Sequence, residues 1–148
     1  MLPAVLALLA GGCGGPDAVQ VDPAAPPPAA KRVCAKLVVA LPDHLDDAER
    51  RPTRPEGAPT AAWGDPPLVL RCGVAKPADL GPSSEILEVD DVEWFLAESA
   101  AGYTFTTVGR LAYVALTVPP SVRRADATAP LVDLAPAVSR HDPPRGGR

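Results

Sequence analysis

The apolar positions of this chain come in short runs, most of them ended by proline or glycine, and several alternate with polar residues. In "LVLRCGV", residues 68–74, Leu68, Leu70, Cys72 and Val74 fall on one face of an extended strand, with Val69, Arg71 and Gly73 on the other. "LVVAL" at 37–41 is an unbroken β-rich run stopped by Pro42, which predicts a buried strand. The stretch "PDHLDDAERRP" then places Asp43, Asp46 and Asp47 ahead of Arg50 and Arg51. That order complements a helix dipole, and Pro52 forbids continuation, so a short exposed helix is expected. "PTRPEGAPTAA" has the composition of a surface loop.

Further along, "EILEVDDVEWFLAES" reads as two strands meeting at a hairpin on Asp90-Asp91. "YTFTTVGRLAYVALTV" reads as a second hairpin with a two-residue Gly109-Arg110 turn, which would pair Phe105 with Val114 and Tyr103 with Leu116. Thr104, Thr106 and Thr117 then share the opposite face with Tyr113, so one face is apolar and the other mixed. In "PLVDLAPAVSRHDPP", Pro136 cannot sit inside a helix begun at Leu131 without breaking it, so a short helix from Pro136 to about Arg140 is expected. The fold class implied is α+β: a small antiparallel sheet, a meander of about five to six strands, with one or two short helices.

Composition narrows the folded part. With 148 residues, one domain is expected. The 20 prolines and 4% aromatic residues mean that much of the chain is extended or irregular. Residues 14–32, "GGPDAVQVDPAAPPPAAKR", have no apolar periodicity and read as a Pro/Ala-rich tether. Residues 141–148, "HDPPRGGR", read as a disordered tail. That leaves 33–140 as the domain.

The N-terminal "MLPAVLALLA" has the length and texture of a signal-peptide apolar region and is too short to span a bilayer. Residues 1–12 are therefore read as a signal peptide. Leu9-Ala10-Gly11-Gly12-Cys13 resembles a bacterial lipobox, with Ala10 where leucine is usual and only the α-amino group positive ahead of the run. Cys13 would then be lipidated, and two or three acyl chains give stable anchoring to the cell membrane at its extracytoplasmic face. A secreted form cleaved nearby, or an uncleaved apolar N-terminus, are the alternatives. In an exported chain the remaining cysteines, Cys34 and Cys72, form an even pair, and a disulfide is the default. Closing a loop of about 38 residues removes denatured-state entropy equivalent to about 4 kcal/mol.

These pieces resemble an actinobacterial family of exported proteins catalogued as domain of unknown function 3515. The resemblance rests on Cys34, Leu41-Pro42, Arg50-Arg51, "AAWGDPPLVLRCGV", "VEW" at 92–94, "FTTVGR" at 105–110 and "VP" at 118–119. It implies an extracytoplasmic, often lipid-anchored location and a two-cysteine framework, and no established activity.

Candidate chemistry is sparse. The net charge of −4 and the lack of any basic cluster beyond Lys31-Arg32, Arg50-Arg51 and Arg123-Arg124 argue against nucleic acid as a partner. His44 and His141 fall in separate segments, which disfavours a triad or a metal site, and Asp43, Asp46, Asp47 and Glu49 lack calcium-loop spacing. No phosphate-cradling glycine loop, Cys-x-x-Cys or Gly-x-Ser-x-Gly is present. No catalytic residue, metal or cofactor is expected. Trp63, Asp65, Arg71 and Arg110 are the residues available to form an aromatic, cationic groove for an anionic or sugar-like ligand, in a binding or enzymatic domain. Gly64-Asp65-Pro66 is equally sound turn chemistry, and Trp63 suits a lid on the sheet, so a scaffold role is the preferred reading. The expected partners are the membrane, through the anchor, and another envelope protein or a cell-wall component.

Overall fold

The computed structural model describes residues 17–146. The predicted signal peptide and Cys13 lie outside the described residues, as do the last two positions of the expected tail.

Residues 28–41, which contain the run expected to be a strand, are mostly helical. The helix α1 spans Pro28–Ala40, with Pro28 in its first turn, where a missing N–H costs nothing. Ala30, Cys34, Leu37 and Leu41 recur at spacings of three and four and are all buried, so the operative period is helical. The expected exposed helix at 43–51 is likewise a hairpin, of strands β2 (His44–Leu45) and β3 (Ala48–Arg51). Leu45 is fully buried and Asp46 takes a positive φ of 51° in the turn, two features that outweigh the charge order.

The remaining strands are β4 (Thr53–Arg54), β5 (Thr60–Trp63), β6 (Leu68–Cys72), β7 (Ile86–Val89), β8 (Val92–Ser99), β9 (Gly102–Thr107) and β10 (Val114–Val118). All but β4 join β2 and β3 in an eight-stranded antiparallel sheet in the order β2-β3-β5-β6-β10-β9-β8-β7. The α+β class is as the sequence implies. The sheet is larger than expected and departs from a meander because β10 inserts between β6 and β9. The first strand, β1 (Val19–Gln20), pairs separately and in parallel with β4, and Val21 beside it is buried. The expected tether is therefore folded onto the body from Asp17 onward.

Register identifies the two sheet faces. Trp63 opposite Leu68, Ala61 opposite Leu70, Leu70 opposite Leu116 and Leu116 opposite Phe105 lie on one face, with Trp94. This face carries the core together with α1 and the second helix, α2 (Ala129–His141). Helix α2 begins seven positions earlier than expected and keeps Pro136 inside. The backbone bond that Pro136 cannot make would reach Val132, which is half-exposed, and buried Leu131, Leu134, Ala135 and Val138 hold the helix on the sheet regardless.

The Asp90-Asp91 hairpin forms as read, with φ of 47° and 62° giving the twist that two-residue turns favour. The β9–β10 hairpin differs: Phe105 pairs with Leu116 and Tyr103 with Val118, two residues out from the expected register. The shift preserves which face each side chain takes, and Thr104 and Thr117 share a hydrogen bond of 3.1 Å. The connection between the strands is six residues long, 108–113, and Arg110 within it is buried instead of closing a tight turn.

The cysteines are joined. Cys34 on α1 and Cys72 at the end of β6 have Sγ atoms 2.07 Å apart and Cα atoms 5.5 Å apart, both side chains buried. Gly73 follows at φ +82°, and a Cβ there would stand 2.3 Å from the Pro26 Cβ. Only glycine lets the segment entering α1 cross this strand end so closely.

Candidate functional site

The four sequence candidates do not converge. Trp63 is fully buried on the helix face, where its indole Nε1–H donates to the Pro42 carbonyl at 3.0 Å. Arg71 lies three residues beyond Leu68, the partner of Trp63, and strand alternation puts it on the opposite sheet face. Asp65 extends into solvent from the 64–67 turn, 4.0 Å from Arg51. Arg110 is buried in the β9–β10 connection, donating to the backbone carbonyls of Asp142 at 2.6 Å and Asp91 at 3.0 Å.

What the structure assembles around Trp63 is a joint. Helix α1 has no basic residue in its last turn, so its carbonyls need a donor from elsewhere. Arg50 of β3 supplies it, with bonds to Val38 O at 2.8 Å and Leu41 O at 2.9 Å, and its guanidinium stacks on the Trp63 ring at 5.8 Å. Arg51 reaches the other way, to Gly64 O at 2.9 Å and Asp17 O at 2.7 Å. The Leu41-Pro42, Arg50-Arg51 and Trp63-Gly64 elements thus tie the helix end, the first hairpin and the N-terminal segment to one another.

Beside this joint runs a groove of about 670 Å³. One wall is α1, through Lys31, Ala35, Val38 and Val39; the other is chain at 50–53 and 57–61. Its charged lining residues are Lys31, Arg50 and Arg51, with no carboxylate among them. An adjoining concavity holds His44, Asp47, Glu49, Asp65 and Asp17 and shares only Arg50 and Arg51 with the first. His44 pairs with Glu49 at 3.8 Å on the exposed hairpin, and among the described residues no group of three His, Cys, Asp or Glu side chains is placed to hold a metal ion.

A second buried polar cluster closes the far end of the molecule. Asp142, fully buried, accepts from Ala112 N–H at 3.0 Å through Oδ1, while Oδ2 has no protein partner. Burial pushes its carboxyl up to about 6, against the opposing pull of the Ala112 and Leu111 amides and the Arg110 and Arg145 charges. Leu111 N–H donates to Pro143 O, Arg145 N–H to Gly109 O, and Arg145 lies 5.1 Å over the Tyr113 ring. Residues 142–145 are therefore bound, where a disordered tail was expected. The sequence offered no local sign of Asp142, because its partners lie about thirty positions away.

Fold and site together define a disulfide-linked α+β domain whose conspicuous arginines and tryptophan serve as structural joints beside an apolar, cation-lined groove. Residues 2–146 match the family described as "Protein of unknown function (DUF3515)", and the chain belongs to it. No curated protein and no solved structure matches the chain.

Proposed function

We propose that the protein is a cell-envelope lipoprotein, anchored through Cys13 at the outer face of the cytoplasmic membrane and acting as a non-catalytic interaction or accessory module. The observation that carries this reading is the Cys34–Cys72 pair. A disulfide between helix and sheet suits an oxidising compartment, and it leaves Cys13, in its lipobox-like setting, as the one cysteine outside the pair. The engagement of Trp63, Arg50, Arg51 and Arg110 with backbone carbonyls supports a scaffold role for these side chains, in keeping with a non-catalytic module.

The test is fractionation of cells fed labelled palmitate. Wild-type protein should partition with membranes and carry label, and Cys13→Ser should remove the label and either release the protein or leave an uncleaved precursor. If wild type and variant fractionate alike and neither is labelled, the anchoring reading is wrong.

A further inference from the structure

We propose that the outer face of α1, with the groove beside it, docks on an anionic phospholipid surface. The inference rests on the lipid-anchored reading, which brings such a surface within reach, and it names the partner of the groove.

The helix is two-sided. Ala30, Cys34 and Leu37 point into the core, and the opposite side presents Lys31, Arg32, Lys36 and Val39. The three cations are exposed, no acidic residue occurs anywhere on the helix, and none of the three joins an ion pair among the described residues. The protein as a whole carries −4, so this face departs from the charge of its surroundings. Among them stands Val39, 85% exposed and the most exposed of the large apolar side chains. A helix with lysine and arginine flanking a protruding apolar residue fits the headgroup boundary: the cations meet phosphates, their stems lie along the apolar surface, and the valine enters the acyl edge. The groove continues the same chemistry, because its walls are mainly apolar and its lining charges are all positive.

The route of the chain agrees. The backbone of Asp17 is held by Arg51, which itself lines the groove. Three residues separate Asp17 from Cys13, four residue steps that span at most about 14 Å. An acyl anchor on Cys13 therefore holds this side of the domain close to the bilayer. Of the nearby carboxylates, Glu56 is paired with Arg54, Asp22 lies on the segment leading to α1, and Asp17, Asp47, Glu49 and Asp65 belong to the adjoining concavity, outside both the groove lining and α1.

The experiment uses the full chain with its native processing, carrying Val39→Trp, a change at an exposed position. It is incorporated into vesicles of phosphatidylcholine alone or of phosphatidylcholine with phosphatidylglycerol, with brominated acyl chains in both. Trp63 and Trp94 are fully buried and serve as a constant background. Bromine should quench the added emission several-fold more in the phosphatidylglycerol vesicles. Lys31→Glu, Arg32→Glu and Lys36→Glu together should reduce the docked fraction roughly tenfold or more. Equal quenching in both vesicle types, or no effect of the charge reversals, would overturn the proposal. The mass of the purified chain reads the anchor separately. Chain without acyl groups that is still quenched on anionic vesicles supports docking while removing the anchor; acylated chain that is not quenched overturns docking while leaving the anchor intact.

Discussion

Asp142 shows how a single side chain couples this fold to pH. Its carboxyl is buried with one oxygen unpartnered, and its folded pKa of about 6 lies above the ordinary 3.8. The folded state thus holds the proton more tightly than the unfolded chain. Stability from this group is present at acid pH and declines as pH rises from about 4 through about 6, by up to about 3 kcal/mol. Asp142→Asn keeps the oxygen that accepts from Ala112 and removes the ionisation, so it should be more stable than wild type above pH 6 and lose the advantage near pH 4. Urea unfolding of both proteins at pH 4.5 and 7.5 measures the difference; a gap that does not change with pH contradicts the assignment. Glycine constraints act at the same scale. Gly102 opens β9 at φ +114°, where a Cβ would stand 2.0 Å from the Val118 carbonyl oxygen, so no side chain fits without moving β10.

Among the elements, α1 depends most on its cross-link. It contacts the sheet through Cys34 and caps its C-terminus with a borrowed arginine. Cys72→Ala should therefore cost about 4 kcal/mol in cross-link entropy plus the loss of packing, and Cys34→Ala, Cys72→Ala together should cost little more than either alone. Thermal melts with and without reductant test this; two alkylatable thiols in the unreduced native protein would show that the pair is not formed in the cell. The helix also illustrates what the sequence could and could not reveal. Strand β6 and the Asp90-Asp91 hairpin were legible because alternation and turn chemistry are local. Helix α1 was not, because its first turns lie in a Pro/Ala-rich stretch that resembles a linker, and the remaining "LVVAL" is too short to separate helix from buried strand. The β2–β3 hairpin was hidden by a charge order that fits a helix equally well, and its deciding contacts, Arg50 with α1 and Asp46 N–H with Asp133 at 2.7 Å, are distant in sequence. Of the proposed ligand residues, Trp63 is fully buried on the helix face, and Arg50, its stacking partner, carried no local mark beyond its place in an arginine pair.

At the scale of the whole molecule, the first and last described segments, 17–21 and 142–145, are structural parts of the body. Residues 142–145 complete the β9–β10 connection, and they alone supply the Asp142 carbonyl and carboxylate that face Arg110 and Ala112. Ending the chain after Arg140 would leave the Arg110 guanidinium buried with one of its two carbonyl partners gone. A loss of roughly 3 kcal/mol or more is expected, read as a lowered urea midpoint. A truncated chain as stable as the parent would show that the segment is dispensable.

The Cys34–Cys72 bond also turns residues 34–72 into a closed ring. Ala35, Val38 and Val39 from one wall of the groove, and the whole 50–61 stretch from the other, lie inside that ring. A single backbone break in the exposed turn around Glu56 would open a loop without releasing a piece: the two halves would remain one covalent object, with the clasp beside the groove still fastened. The surface that faces the bilayer in our proposal can therefore be nicked by a protease and still keep its two sides tied together.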